Sequence, residues 1–217
     1  MKRILLSLGF SLAIVITLLA GCSEPRSKRA VYVLVDTSGT YSQQFDKVQG
    51  VMRYMLGTLL PGESLALARI DSGSFSEKDI IARMSFDLRP SMANAQKRAF
   101  LDSVEKFGSD ISASKYTDIT GGILQAIEYL NETRATDKYI LIFSDLKEEI
   151  KKEQVRDFPI NFNGTRVVAI NVTKLQSDNV DPREYMQRVD DWSKRVEDGN
   201  GHWKLINDLN RLEAIWE

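Results

Sequence analysis

The stretch Val31-Tyr-Val-Leu-Val-Asp-Thr-Ser-Gly-Thr40 decides the fold of this chain. Five apolar, mostly β-branched residues run directly into Asp36, and small residues with hydroxyl groups follow, among them Ser38 and Thr40. A continuous apolar run of this length is typical of a strand that is buried on both faces, as in a parallel sheet. Ligands of open α/β sheets bind beyond the carboxyl ends of such strands, so these three polar side chains are candidate ligand-binding groups.

The chemistry of these side chains favours a hard metal ion. One carboxylate and two hydroxyl oxygens at positions 36, 38 and 40 converge on one cation if the loop curls around it. Mg²⁺ takes about six oxygen ligands at roughly 2.0–2.1 Å and keeps several waters, so a few protein oxygens suffice. The alternative is that Ser38 and Thr40 only cap the following helix, because serine and threonine are good N-caps.

Two later stretches complete a pattern. Tyr116-Thr-Asp-Ile-Thr-Gly-Gly-Ile-Leu-Gln-Ala126 places a loop threonine before a glycine-containing turn into a helix, and Tyr139-Ile-Leu-Ile-Phe-Ser-Asp145 is an apolar strand that ends in an acid. Together with the first stretch they resemble the three motifs of the metal-ion-dependent adhesion site of von Willebrand factor type A domains, the first of which is Asp-x-Ser-x-Ser/Thr. The resemblance implies that the metal is surrounded by five residues: Asp36, Ser38, Thr40, Thr117 and Asp145.

The sequence departs from the type A motifs at two places. Lys115 and Tyr116 stand before the threonine, and Leu146 stands after the last aspartate, where the family often has glycine. Neither departure removes a presumed ligand. The resemblance implies an α/β fold with a doubly wound, mostly parallel sheet and helices on both faces, similar to a Rossmann fold. The alternation of strand and helix patterns along the chain predicts the same architecture.

The amino terminus predicts export and lipid attachment. Residues 1–21 have a short basic start, an apolar run and a small-residue end, which is typical of a signal peptide. Leu19-Ala-Gly-Cys22 resembles the lipobox of bacterial lipoproteins and implies a lipid on Cys22. Residues 22–29 are then the lipidated cysteine and a short tether, and residues 30–217 form one domain. The alternative is an uncleaved membrane anchor, because the apolar run approaches the roughly 20 residues that span a bilayer.

Composition excludes several kinds of partner and site. The formal net charge is −1, and removal of residues 1–21 takes away two basic residues and no acids, which leaves −3. A nucleic-acid-binding protein usually has a basic face, so we expect no nucleic-acid partner. Cys22 is the only cysteine, so no disulfide forms within the chain. His202 is the only histidine, which excludes a multi-histidine zinc site.

Periodicity predicts the remaining elements. Helical spacing covers 45–60, 91–107, with Ser91 as N-cap, 119–130 and 182–196, whereas strand patterns cover 64–70, 84–88, 166–172 and 203–206. A closing helix is predicted over 208–216, either static or shifting with the metal site, as in several type A domains. The charged run 146–153 is interpreted as a solvated helical turn or as the rim of the site. Asp71 is interpreted as a turn residue.

These features predict a membrane-anchored protein-binding module in the bacterial cell envelope. Its Mg²⁺, or Mn²⁺ or Ca²⁺, keeps an open position, which the resemblance implies is filled by an acidic side chain of a partner protein. Ser23 after the lipidated cysteine favours the outer membrane of a two-membrane cell. One alternative is a phosphatase of the haloacid dehalogenase type with Asp36 as nucleophile, although position 38 is serine where that family has an acid/base aspartate. Another is a metal-free scaffold of the same fold. We expect no enzymatic activity.

Overall fold

The strand predicted from the opening stretch lies in the middle of a six-stranded sheet. The computed structural model describes residues 28–38, 44–71, 75–110, 114, 116–151 and 156–217. Within them the strand order is β3-β2-β1-β4-β5-β6. All neighbouring strands are parallel except β2 and β3, so β3 is an antiparallel edge strand. The strands are β1 Arg29–Asp36, β2 Ser64–Ile70, β3 Ile80–Ser85, β4 Asp137–Phe143, β5 Arg166–Ile170 and β6 His202–Ile206.

Helices cover both faces of this sheet. Within the described residues there are four α-helices, α1 Phe45–Thr58, α2 Pro90–Ser109, α3 Ile119–Glu132 and α4 Pro182–Asp198. Val31, Val33 and Val35 of β1 point into the core formed with α1 and α2. The alternate residues Tyr32 and Leu34 point into the core formed with α3 and α4. The apolar run of β1 is therefore buried on both sides, and the predicted doubly wound α/β architecture is confirmed.

Element boundaries differ from the prediction at the antiparallel edge. β3 occupies 80–85 rather than 84–88, because Ser64 to Ala68 of β2 pair with Ser85 to Ile80. The Asp87 carboxylate then accepts a hydrogen bond of 2.8 Å from the Arg89 amide, a local turn that ends the extended conformation. The next helix begins at Pro90, a favoured first helical residue, and not after a Ser91 cap.

The predicted closing helix over 208–216 is largely wrong. Only Leu212–Trp216 is helical, and it is a short 3₁₀-helix. The side chain of Asp208 accepts a hydrogen bond of 3.0 Å from the Asn210 amide, so this part of the chain forms a local turn instead of an α-helical ladder.

The structure leaves the amino-terminal predictions untested. The signal peptide, Cys22 and the tether up to residue 27 lie outside the described residues, as does Thr40. Among the residues described, no helix has the length and apolar character needed to cross a membrane.

Candidate metal site

Predicted ligands lie at the carboxyl edge of the sheet. Asp36 is the last residue of β1, and Asp145 lies two residues beyond the end of β4. Because β1 and β4 are paired in parallel, their carboxyl ends meet at this edge. Thr117 lies two residues before α3, which packs on β1. All three residues are nearly covered, with exposed fractions of 1% for Asp36, 6% for Asp145 and 4% for Thr117.

Both carboxylate oxygens of Asp36 are held in place. Oδ1 accepts a hydrogen bond of 2.8 Å from the Ser38 amide, and Oδ2 accepts one of 2.8 Å from the hydroxyl of the buried Ser144. Burial raises the pKa of Asp36, against the lowering effect of the hydrogen bonds from Ser38 and Ser144. The side chain therefore has a fixed orientation in a site with little water.

Three loops are tied to one another at this edge. The Asp36–Ser144 hydrogen bond joins the loops after β1 and β4. The Ser114 amide donates to the Thr37 carbonyl oxygen over 3.0 Å, which joins the loop after β1 to the loop before α3. Thr117 and Glu149 exchange two backbone hydrogen bonds of 2.7 and 3.0 Å, which joins that loop to the chain after β4. All three predicted motifs thus meet in one place.

The second carboxylate, Asp145, lies close to the first without a salt bridge. Its Oδ1 accepts a hydrogen bond of 2.8 Å from the Lys147 amide. Burial raises its pKa and the negative charge of Asp36 raises it further, against the lowering effects of the Lys147 amide and of the positive charges of Arg188 and Lys147. No arginine or lysine in the described part of the chain forms a salt bridge with either carboxylate. Two buried acids that repel each other favour a cation between them.

Hydroxyl groups supply the remaining oxygens. Thr117 is 4% exposed, and no hydrogen bond joins its hydroxyl to another described residue, although this oxygen is not among the fully buried atoms without a partner. Ser38 is half-buried beside Asp36, and its hydroxyl also contributes to the hydrogen bonding of that carboxylate. The described ranges hold no group of three or more histidine, cysteine or acidic side chains that could bind a metal. The donor set at this edge mixes two carboxylates with hydroxyls, a combination that fits Mg²⁺.

The geometry of the sheet agrees with known structures. The chain is similar to a von Willebrand factor type A structure from Catenulispora acidiphila, with a TM-score of 0.52 and 12% identity over 87% of this chain and 41% of that one. The protein has the von Willebrand factor type A fold. It is also similar to the PilB minor pilin from Streptococcus sanguinis, with a TM-score of 0.53 and 12% identity over 88% of this chain and 60% of that one.

A third similar structure is the pilus adhesin SpaC from Lactobacillus rhamnosus GG, with a TM-score of 0.50 and 12% identity over 88% of this chain and 29% of that one. The chain thus spans between 29% and 60% of the length of these three structures. No protein-family model matches the sequence, and no curated protein matches it either.

Within this type A fold, the residue that follows Asp145, where the family often has glycine, has an unusual backbone conformation. Leu146 has a φ of 64°, in the left-handed region that favours glycine. Its side chain is nevertheless buried. Its amide donates to the Ser144 hydroxyl over 3.1 Å, and its carbonyl oxygen accepts a hydrogen bond of 3.0 Å from the Trp192 indole. The surrounding contacts therefore maintain a conformation that leucine disfavours.

Sequence reasoning missed several polar residues around the site. Asp71, interpreted as a turn residue, lies at the carboxyl end of β2, and its Oδ1 accepts a hydrogen bond of 2.5 Å from the Ser114 hydroxyl. Its carbonyl oxygen accepts one of 3.3 Å from the Asp118 amide. Its position after a buried strand, like that of Asp36, was the available signal. Ser144 gave no such signal, because its contact with Asp36 links residues 108 apart in the sequence.

The charged run after β4 does not form the helical turn that was one of its two predicted structures. Residues 146–151 are not helical, and the pairing of Glu149 with Thr117 places them at the rim of the candidate site. The Glu148 carboxylate accepts hydrogen bonds from the Thr120 amide over 2.7 Å and from the Thr120 hydroxyl over 3.0 Å. This run therefore holds the first turn of α3 in place.

Proposed function

We propose that this chain is a protein-binding module that depends on a divalent metal, Mg²⁺ or else Mn²⁺ or Ca²⁺. The single observation that supports it is the pair of buried carboxylates, Asp36 and Asp145, which meet at one sheet edge without a salt bridge to a described residue. Burial of such charges is unfavourable unless a cation compensates them. The residues that would hold the metal are Asp36, Ser38, Thr40, Thr117 and Asp145.

The proposed roles of Asp36, Asp145 and Thr117 follow from their surroundings. Asp36 is oriented by the Ser38 amide and the Ser144 hydroxyl, and Asp145 by the Lys147 amide. Thr117 contributes a neutral oxygen that the described residues leave unused. When bound, Mg²⁺ supplies an electrophilic centre, and only two of the five protein ligands are charged. The site is thus suited to an acidic side chain of a partner protein.

The similar structures support interaction at a bacterial surface as the setting. Two of them are a minor pilin and a pilus adhesin. We place the protein in the cell envelope, attached through a lipid on Cys22, with the outer membrane favoured by Ser23. This role is not enzymatic. The metal-free scaffold and the phosphatase are the competing functions, and a metal titration together with an assay of phosphate-ester hydrolysis separates them.

Replacement of Thr117 by valine tests the metal site with little change in shape. We expect Mg²⁺ binding to weaken by at least about tenfold, because changes to the outer ligand shell alone usually cost ten- to hundredfold in metal affinity. Stability should change little, because the lost hydroxyl has no hydrogen bond to the described residues. Titration calorimetry with Mg²⁺ and Mn²⁺ measures the first effect, and urea denaturation measures the second.

Thr37→Val is the matched control. Thr37 is buried one residue after Asp36, and its hydroxyl donates to the Ile70 carbonyl oxygen over 3.0 Å. This variant should lose stability by about 1 kcal/mol and keep its metal affinity. If the two valine variants bound Mg²⁺ equally well, Thr117 would not be a ligand. If the unaltered protein bound no divalent metal, the metal-free scaffold would replace our proposal.

Lipid attachment has its own test. We expect Cys22→Ser to abolish the incorporation of fatty acid, because a thiol carries the lipid in the lipobox pattern. Metabolic labelling with a palmitate analogue, followed by fractionation, measures lipid attachment and membrane association. A serine variant that still carried the label would contradict a lipid on Cys22, whereas unaltered protein that sedimented with membranes without any label would favour the uncleaved anchor.

A further inference from the structure

One face of α4 donates hydrogen bonds to the loops that form the candidate site. Arg188, Trp192 and Arg195 are spaced by four and three residues, so they lie on the same side of the helix. Arg188 Nε donates to the Asp145 carbonyl oxygen over 3.2 Å. Trp192 Nε1 donates to the next carbonyl oxygen, that of Leu146, over 3.0 Å. The two peptide groups that follow the presumed ligand Asp145, one on each side of Leu146, are therefore fixed from the helix.

The third donor, Arg195, contacts the start of α3 and the segment at Arg156. Arg195 donates to the Thr120 hydroxyl over 2.7 Å and to the Arg156 carbonyl oxygen over 2.7 Å. Its guanidinium lies 5.2 Å from the centre of the Trp192 ring and 3.8 Å from a Glu148 carboxylate oxygen. Since Glu148 also binds Thr120, Arg195 fixes the start of α3, three residues after Thr117.

The backbone of the Asp145 loop makes such support necessary. Leu146 is held in the left-handed region, and its peptide groups are bound by Ser144 on one side and by Trp192 on the other. A disfavoured conformation of this kind persists only when surrounding contacts impose it, and such positions concentrate at functional sites. The Trp192 hydrogen bond is one of those contacts.

We propose that Arg188, Trp192 and Arg195 are positioning residues that fix the loop of Asp145 and the start of α3, and thereby set the metal affinity of the site. The part about metal affinity depends on the proposed function, and the part about loop conformation does not. The competing explanation is that this face of α4 only packs the helix on the sheet. Val189 and Val196 are also buried on α4 and contribute to that packing.

Trp192→Phe separates these explanations, because it keeps an aromatic ring and removes the indole N–H. We expect the amides of Leu146 and Glu149 to exchange with solvent about tenfold faster in metal-free protein, while Val33 and Leu141 in the central strands keep their protection. Amide hydrogen exchange measured by NMR gives each rate. Trp203→Phe is the matched control, because the Trp203 indole donates no hydrogen bond to a described residue and the loop amides should not respond.

Metal affinity is measured with the same variants. Trp192→Phe should weaken Mg²⁺ binding by about tenfold in a calorimetric titration, as expected when an outer-shell contact is lost. Arg195→Gln should act in the same direction on both measurements, whereas Arg183→Gln, on the exposed side of α4, should leave both unchanged. If Trp192→Phe also sped up exchange of the central-strand amides, the comparison of Arg195→Gln with Arg183→Gln would distinguish positioning from packing.

The outcomes distinguish this inference from the proposed function. Unchanged loop exchange in both Trp192→Phe and Arg195→Gln would overturn the inference, whatever the metal does. Faster loop exchange in a protein that binds no metal would contradict the proposed function and keep the positioning role. Faster loop exchange with unchanged Mg²⁺ affinity would overturn the part of the inference that concerns affinity.

Discussion

Asp145→Asn is expected to weaken Mg²⁺ binding by at least about a hundredfold and to stabilise the metal-free protein at neutral pH. Loss of a charged ligand should exceed the ten- to hundredfold effects of outer-shell changes. The gain in stability, about 1 kcal/mol, arises because asparagine removes a buried charge that repels Asp36 and keeps an oxygen for the Lys147 amide. Two neighbouring buried carboxylates are thus a source of instability when no cation lies between them.

The gain in stability should depend on pH in a defined direction. Burial raises the pKa of Asp145 in the folded state above its usual value of 3.8. The unaltered protein therefore loses stability as the pH rises from the unfolded-state pKa through the folded-state pKa, whereas asparagine does not titrate. Urea denaturation in chelator at pH 7 and near pH 3 measures this. A variant less stable than the parent at pH 7 would contradict our account of the two carboxylates.

Arg156→Ala should cause the largest loss of stability, about 3 kcal/mol. Arg156 donates two hydrogen bonds, of 3.0 and 2.7 Å, to the carboxylate of Asp118. The side chain of Asp118 is 1% exposed and also accepts the Gly121 amide at the start of α3. Removal of the arginine leaves a buried charge without its partner, which typically costs 3–5 kcal/mol.

A pair of variants checks the cause of that loss. Arg183 and Asp181 form the same kind of two-point contact at the start of α4, but the arginine side chain is 90% exposed. Arg183→Ala should therefore have no measurable effect in urea denaturation. Addition of Asp118→Asn to Arg156→Ala should restore part of the lost stability. No restoration would mean that Arg156 acts through packing and not through the charge of Asp118.

The sheet could be predicted because each of its central strands is a continuous apolar run in the sequence. The apolar residues of β1 and of β4 stand together in the sequence, and burial on both faces leaves them no polar alternation. The acids at the ends of these strands could be placed for the same reason, since parallel strands present their carboxyl ends at one edge. That Asp36, Ser38, Thr40, Thr117 and Asp145 bind a metal, and that Cys22 carries a lipid, remain predictions.

The support of the site could not be predicted from the sequence. Arg156 and Asp118 are 38 residues apart, and Arg195 and Thr120 are 75 apart, so nothing local in either segment indicates the contact. The prediction of a closing helix was wrong because here a local signal was present but misleading. Its apolar residues have helical spacing, but a hydrogen bond within the turn at Asp208 prevails over that spacing.

The direction of β1 has a consequence for how far the site extends from a bilayer. The strand begins at Arg29, next to the tether, and ends at Asp36 in the site. Its eight residues span about 25 Å at roughly 3.3 Å per residue. Seven residues from Cys22 to Lys28 add at most about 25 Å when fully extended. With Cys22 in the membrane, the strand would act as a rigid spacer that holds the candidate metal site no more than about 50 Å from the lipid surface. Short partners on the same membrane would then be within reach.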